Sequence, residues 1–336
     1  MITILKSRLA HAQKLERLIG PICLEHVLVG SRGLKVPIPI AGIPHALFAY
    51  DGDVYGSIGG RTGFASLSDL ISEATTGGKR QDILFTKTST LAVTASWGSL
   101  WNVGPNPGAG GVPAARPGGA VPDNTTTGGL QQTDPSGGDT LHFTTAFAQG
   151  SAGPSTLLLY DRIFHASAIN HNTAAAQTIT GVPTRYATTT SKGNFCFLEV
   201  TTVLTATVFN ITLQYTDQDG NAAENAPSLA GIVSSAVTRI PHAPRFIPLN
   251  SGDTGLRTVT QVTFSAAAAS GVSNLVMGHP LAFLPCPIAN SMVVLDGINS
   301  AFNLVEILTD ACLALIEMKG VATATTYNGQ VIMVSG

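Results

Sequence analysis

The 336-residue sequence carries eight histidines, four cysteines and 20 Asp and Glu, and their spacing decides what chemistry they could perform. His11, His26, His45, His142, His165, His171, His242 and His279 form no HExxH pattern, and no acidic pair stands beside one at ligand spacing. His165 and His171, with Asp161 and Asn170 close by, come nearest to a metal cluster. They could share an ion only from a loop that folds back on itself, so they are expected to be exposed turn histidines. Asp217, Asp219 and Asn221 resemble the start of a calcium loop, but an EF-hand needs Gly at its sixth position and Glu at its twelfth. Here Gly220 is fourth and Ser228 falls where the carboxylate should be, so the cluster reads as a hairpin turn.

Nucleophiles fare no better. There is no GxSxG, the nearest serines being Ser99 after Gly98 and Ser151 after Gly150, and Gly77-Gly78-Lys79-Arg80 lacks the spacing of a phosphate loop. Cys23, Cys196, Cys286 and Cys312 are far apart in apolar neighbourhoods, without the short spacing of a zinc knuckle or a redox pair, so they are expected as buried, reduced thiols. The aromatic residues are not interleaved with Lys or Arg, which removes the pattern of a single-stranded nucleic-acid platform. No catalytic, cofactor-binding or metal-ligating residue is assigned, and the chain is expected not to be an enzyme.

The composition sets the frame in which these residues sit. Lys and Arg number 18 beside the 20 Asp and Glu, so 11% of positions are charged, where an ordinary soluble domain has about 25%. Gly (36) and Thr (38) together make up much of the difference. A formal net charge of −2 with a mean hydropathy of +0.27 is not the signature of a disordered chain. The most apolar stretch, residues 307–318, is interrupted by Asp310 and Glu317, so no membrane span is expected, and no secretory signal is read at the N-terminus.

The pattern divides the chain into three regions. Residues 1–100 are expected to be a small α+β anchoring region. In it, Ile4, Leu5, Leu9, Ala12, Leu15, Leu18 and Ile19 recur at helical spacing, and residues 1–35 carry six basic against two acidic residues. A second helix is expected over residues 66–74, with Ser66 and Asp69 as a capping pair and Gly77-Gly78 as its stop. Residues 101–140 hold 16 Gly or Pro in 40 positions; they read as an extended arm with no core of its own, ordered by lying on neighbouring subunits. Residues 141–336 read as strand after strand: 156–163, 195–200, 203–215, 256–264, 275–277, 282–284, 292–295, 311–318 and 330–334. The fold class expected is mainly β, an antiparallel jelly-roll-like β-sandwich.

Three runs carry a family resemblance: Phe64 to Ala74 (FASLSDLISEA); Leu157 to Arg162 (LLLYDR) followed by Asn172 to Thr178; and Ala311 to Ile316 (ACLALI) with Thr323 to Thr326. In these runs and in the arm after Ser99-Leu100-Trp101-Asn102-Val103, the chain resembles structural proteins of tailed bacteriophages. The resemblance implies a virion component assembled in the bacterial host cytoplasm. Such proteins include capsid decoration (cement) proteins that bind the major capsid protein as symmetric oligomers, often trimers, and tail, collar or baseplate parts; a carbohydrate- or receptor-binding module is a further alternative. Homo-oligomeric contacts and other virion proteins are the partners implied, with no membrane and no specific nucleic acid among them.

Overall fold

The computed structural model describes residues 64–92, 96–204, 208–232, 246–298 and 304–336. The segment with helical spacing from Ile4 to Ile19, Cys23, His11, His26, His45 and His242 lie outside the described residues.

The first described element is helix α1 (Leu67–Thr75). Its start is chemically specified: the Ser66 hydroxyl accepts the Asp69 N–H at 3.1 Å, and the Asp69 carboxylate reaches back to the Ala65 N–H at 2.9 Å. The Thr76 and Gly77 N–H groups both close on the Ser72 carbonyl, and Gly78, at φ +67°, turns the chain away.

The rest is antiparallel β-structure in three sheets. The first contains β1 (Arg80–Thr88), β3 (Pro105–Asn106), β4 (Leu141–Gly150), β13 (Val293–Asp296), β14 (Val305–Ile307) and β16 (Thr326–Ser335). Its order is β13-β4-β16-β1-β3, and β14 also pairs with β4. The central sheet is built from β2 (Ser96–Ser99), β5 (Ser155–Asn170), β7 (Phe195–Thr202), β12 (Val272–Cys286) and β15 (Leu313–Lys319), in the order β2-β15-β5-β12-β7. The third is built from β6 (Gln177–Thr178), β8 (Phe209–Asp217), β10 (Leu229–Ile232) and β11 (Leu256–Phe264), in the order β10-β8-β11-β6, with β9 (Glu224–Asn225) beside β8. Strands β1 and β2, from the first hundred residues, thus belong to the same sheets as the strands after residue 140.

The mainly β sandwich expected from the alternation is what the chain forms, and sandwich packing occurs twice along one shared sheet. Strands β5 and β12, of 16 and 15 residues, are long enough to serve both. Leu157, Leu159 and Leu284 pack against Phe143, Val331 and Met333 of the first sheet. Farther along, Ile163, Ile169 and Leu275 pack against Phe209, Ile211, Val259 and Phe264 of the third. The opposite face of the central sheet carries Leu158, Tyr160, Phe197, Val276 and Ile316 around Trp101. Because both faces are covered, β5 is buried at nearly every position, and the period-2 signal fades into a continuous apolar run.

Several strand expectations shift for identifiable reasons. The separate segments 275–277 and 282–284 are parts of one strand, β12, whose polar centre at Gly278-His279-Pro280 hides its continuity in the sequence. Strand β8 starts at Phe209 rather than 203 and buries Phe209, Ile211, Leu213 and Tyr215, the face the alternation indicates. In β11 strict alternation from Leu256 would turn Thr258 and Thr260 inward, but Leu256, Val259, Val262 and Phe264 are the buried residues, because the register with β8 slips twice. A bulge inserts one residue and so exchanges the faces of the residues beyond it.

The Gly/Pro-rich arm, which the composition suggested would be ordered by lying on neighbouring subunits, is tied to its own chain. Backbone bridges tie Ala115 to Ser167, Ala120 to His165 and Leu130 to Leu313. Gly110 and Gly128 press so closely on the Trp101 ring system that a Cβ on Gly110 would lie 2.3 Å from the indole. The strongest clip is Lys87, 2% exposed, whose Nζ donates to the carbonyls of Val103 (2.9 Å), Pro107 (3.0 Å) and Gly128 (3.4 Å). A segment that cannot build a core can still be fixed when its carbonyls converge on one buried cation, because each would otherwise be left without a partner. Lys87→Met should therefore cost about 1–3 kcal/mol. A broad-specificity protease should leave residues 104–138 intact in free wild-type protein and cut them in the variant; equal cutting of both would remove this account of the arm.

Candidate functional site

The polar centre of the molecule grows from charges placed inside apolar strands. Asp161 and Arg162 interrupt the run Leu157-Leu158-Leu159-Tyr160…Ile163-Phe164 of β5, and Glu199 interrupts Phe195-Cys196-Phe197-Leu198…Val200 of β7. Successive strand residues point to opposite faces, so Asp161 and Arg162 find different partners. The register of β5 with β12 slips between Phe164–Met277 and Arg162–Gly278, leaving Ile163 as the extra residue of a bulge beside Arg162.

Arg162, with its side chain wholly buried, donates from Nη2 to Glu199 Oε2 at 3.1 Å and from Nε to His165 Nδ1 at 3.0 Å, and its guanidinium lies 4.3 Å from the centre of the Trp101 ring. Glu199 also accepts from the Ser99 hydroxyl and from Asn274 Nδ2 (3.0 Å). Burial opposes the charge on Glu199, but Arg162 and these hydrogen bonds outweigh it and hold the carboxyl below its usual range. On the other face, Asp161 takes a two-pronged contact from Arg185, Nε at 2.7 Å and Nη2 at 2.9 Å, and accepts the Cys312 N–H at 2.9 Å. Arg185 Nη2 continues to the Pro122 carbonyl of the arm at 2.9 Å. Two back-to-back ion pairs thus join β2, β5, β7, β12, β15 and the arm.

His165 and His171 are brought to neither a turn surface nor a common site. His165 is buried, accepts from Arg162 and stands edge-on to Trp101; burial, and then the nearby guanidinium, lower its pKa to about 2. His171 is buried against Phe264 at 4.3 Å and shares a 2.7 Å hydrogen bond with Ser273, and burial lowers its pKa to about 4. His279 stacks on Tyr186 at 3.7 Å, with its pKa lowered by burial to about 3. All three are neutral packing groups near neutral pH. The cysteines within the described residues, Cys196, Cys286 and Cys312, are free and buried as expected; burial pushes Cys286 to about 11 and Cys312 to about 12, which keeps the nucleophilic thiolate from forming.

The Asp217 cluster is the turn its residues suggested. Asp217 Oδ1 accepts the N–H groups of Asp219, Gly220 and Asn221 at 2.7–2.9 Å. The structure adds two carboxylates the sequence does not connect with it: Glu224 and Asp253 place oxygens within 4.8 Å of Asp217. Asn250 Nδ2 donates to Glu224 at 3.2 Å and the Tyr215 hydroxyl donates to Asp253, so these acids already have protein partners. Trp101, one of the few aromatic groups available for stacking on a sugar, is 1% exposed and occupied by Arg162, so it offers no platform.

No family model matches the sequence, and no curated protein matches it. Solved structures of infectious bursal disease virus VP2 align over much of the chain. The VP2 subviral particle is 10% identical, covering 78% of this chain and 85% of that one, with a TM-score of 0.17. The structure of the Gx strain is 10% identical, covering 76% and 81%, with a TM-score of 0.16. Superpositions at these scores carry no argument about this chain.

Truncating one partner of a buried pair leaves the other charged and unpaired. Arg162→Met should lower the unfolding free energy by about 3–5 kcal/mol in denaturant titration. The double change Arg162→Met with Glu199→Leu should recover most of that loss, because no uncompensated charge remains. A double variant no more stable than the single one would mean that the pair acts through packing alone.

Proposed function

We propose that this chain is a non-enzymatic structural component of a virion, working by packing against copies of itself and against other virion proteins. The observation that carries the reading is how few charges the fold leaves outside. Of the 25 Asp, Glu, Lys and Arg among the described residues, Lys87, Asp161, Arg162, Arg185, Glu199, Asp217, Glu317 and Lys319 are buried, so the exterior is as poor in ions as the sequence, at about half the share of an ordinary domain. Large apolar side chains stand among the uncharged ones outside: Leu67, Leu84, Val112, Ile288 and Met292 are each more than half exposed. Such a surface sheds water at little cost, since few ions must be desolvated on association, whereas a protein that stays dispersed usually keeps more charge outside.

Within that reading, the resemblance to tailed-bacteriophage structural proteins favours a capsid decoration or cement protein that binds the major capsid shell as a symmetric oligomer. Closed symmetry lets one uncharged patch serve every subunit, and many weak contacts then sum to firm attachment. The basic N-terminal segment, +4 over residues 1–35, supplies the complementary charged contact to the shell.

In purified particles the chain should be present at a copy number near that of the major capsid protein. Six or twelve copies would favour a tail, collar or baseplate position instead, and absence from particles would overturn the virion reading. Light scattering on the isolated protein should give a closed oligomer, with a trimer expected. Deleting residues 1–20 should reduce incorporation into particles while leaving the melting temperature of the body unchanged; wild-type incorporation would exclude an anchoring role.

A further inference from the structure

Glu317 on β15 belongs to neither ion pair. It points between the central sheet and the first sheet, is 1% exposed, and pairs in register with Gly98 on β2 and Leu157 on β5. Its Oε1 accepts the hydroxyl of Ser89, the residue just after β1, and Ser89 in turn accepts the Leu91 N–H at 3.1 Å through the same oxygen. Gly98 is required beneath it, since a Cβ there would come within 2.6 Å of the carboxylate. The crossover from β1 toward β2, residues 89–92, is held by the Ser89 N–H on the Thr325 carbonyl at 2.9 Å, by this carboxyl, and by Lys319, whose ammonium donates to the Leu91 and Thr323 carbonyls.

The second oxygen, Oε2, is buried without a hydrogen bond. So are the Tyr327 hydroxyl on β16 and the Ser155 hydroxyl at the start of β5. Tyr327 neighbours both Glu317 and Ser155. A small cavity lined by Ser89, Leu91, Gly98, Val103 and Glu317 lies beside the carboxyl. A carboxylate here has one donor, Ser89, and a second oxygen buried without one, whereas a protonated carboxyl can itself donate. The charged and titratable groups packed nearby are Lys319 on β15, Lys87 on β1, which holds the Val103 carbonyl of the cavity wall, and Tyr327 on β16.

We propose that Glu317 is a proton-operated clasp: with the carboxyl protonated, its O–H donates toward Tyr327 and Ser155 and the 89–92 crossover is held to the central sheet; loss of that proton to solvent leaves a poorly solvated carboxylate and loosens the crossover. The pH range is set by the surroundings. Burial raises the Glu317 pKa to about 7, outweighing the Ser89 hydroxyl, Lys319 and the Tyr327 hydroxyl, each of which favours the ionised form, so near pH 6 the folded chain holds a proton that the unfolded chain has released. A group raised in this way contributes stability that is present below its unfolded value and is lost as the pH climbs through about 7. The buried histidines act in the opposite sense, because their lowered values remove stability as the pH falls below the unfolded histidine range; the comparison must therefore be against a variant, not against pH alone.

The test is thermal unfolding of wild type and Glu317→Gln between pH 5.5 and 8.0, together with hydrogen exchange of peptides covering residues 86–103, corrected for the intrinsic pH dependence of exchange. The wild-type melting temperature should fall relative to the variant as the pH rises. Corrected exchange at 89–92 should speed up in wild type, by up to about tenfold per pH unit as the pH rises toward 7, and level off above it, while staying level throughout in the variant. Parallel melting profiles with pH-independent exchange in wild type would overturn the proposal. Should Glu317→Gln fail to fold, Ser89→Ala keeps the carboxyl and cuts its tie: fast exchange at both pH values is then expected, and exchange that stays slow would equally overturn it.

Discussion

Everything in this fold depends on a sheet that has no free face. Strands β5 and β12 are covered by the first sheet at one end and the third sheet at the other, while the arm and Trp101 cover the reverse side. A strand pair buried on both sides cannot send a polar side chain to water, so any charge it carries must be neutralised inside. Arg162 with Glu199 and Asp161 with Arg185 are that neutralisation. Apolar replacements of equal volume would give comparable stability, since a buried pair returns little beyond its own desolvation cost. What the charges add is definition. Arg162 has to meet Glu199, His165 and Trp101 together, and only the bulged register at Ile163 gives it that position.

The same rule organises the periphery. The arm is poor in side chains that could bury themselves, but it is rich in carbonyls, and the body meets them with cations: Lys87 takes Val103, Pro107 and Gly128, Arg185 takes Pro122, and the Arg116 Nε of the arm returns the contact to the Ala168 carbonyl at 3.1 Å. Lys319 does likewise for the crossover at Leu91. Burial lowers the Lys87 pKa to about 8, so the clip remains cationic near neutral pH. Glycine and proline, which make the arm look unstructured in sequence, are what allow the close approach: at Gly110 the backbone lies flat against the indole, where no side chain would fit.

How much of this can be read from the sequence differs by physical cause. Helix α1 is legible to within one residue at each end, because capping chemistry is local: Ser66 and Asp69 are three positions apart, and each side chain bonds a backbone N–H of the first turn or its approach. Strand β8 is legible because it is covered on one face, so its alternation survives. Strands β1 and β4 escape notice, although both alternate; Lys87 and His142 sit where an apolar residue or a loop would be guessed. The polar centre is hidden for a different reason. Its members come from positions 99, 161, 162, 185, 199 and 274, and no spacing rule links residues joined only by sheet pairing. One signal is present: Asp161-Arg162, Glu199, Asn274 and Glu317 are each a polar interruption inside an otherwise apolar strand.

That signal also explains how a charge-poor sequence divides its charges. An ion inside an apolar strand is costly and persists only with a partner, whereas an ion on the surface is cheap and can be lost without penalty. This chain keeps the costly ones and, for its size, has few of the cheap ones: Lys87, Asp161, Arg162, Arg185, Glu199, Glu317 and Lys319 are inside, while Thr and Gln dominate the outward positions of β4, β8 and β11. Stability of the single chain would be served as well by an ordinary charged exterior, which also protects against association. A surface with few ions is favoured when the molecule spends its working life against other protein surfaces, where each exposed charge would have to be stripped of water or matched one for one. The inward charges fix one conformation of the body, and the ion-poor exterior leaves that body free to pack.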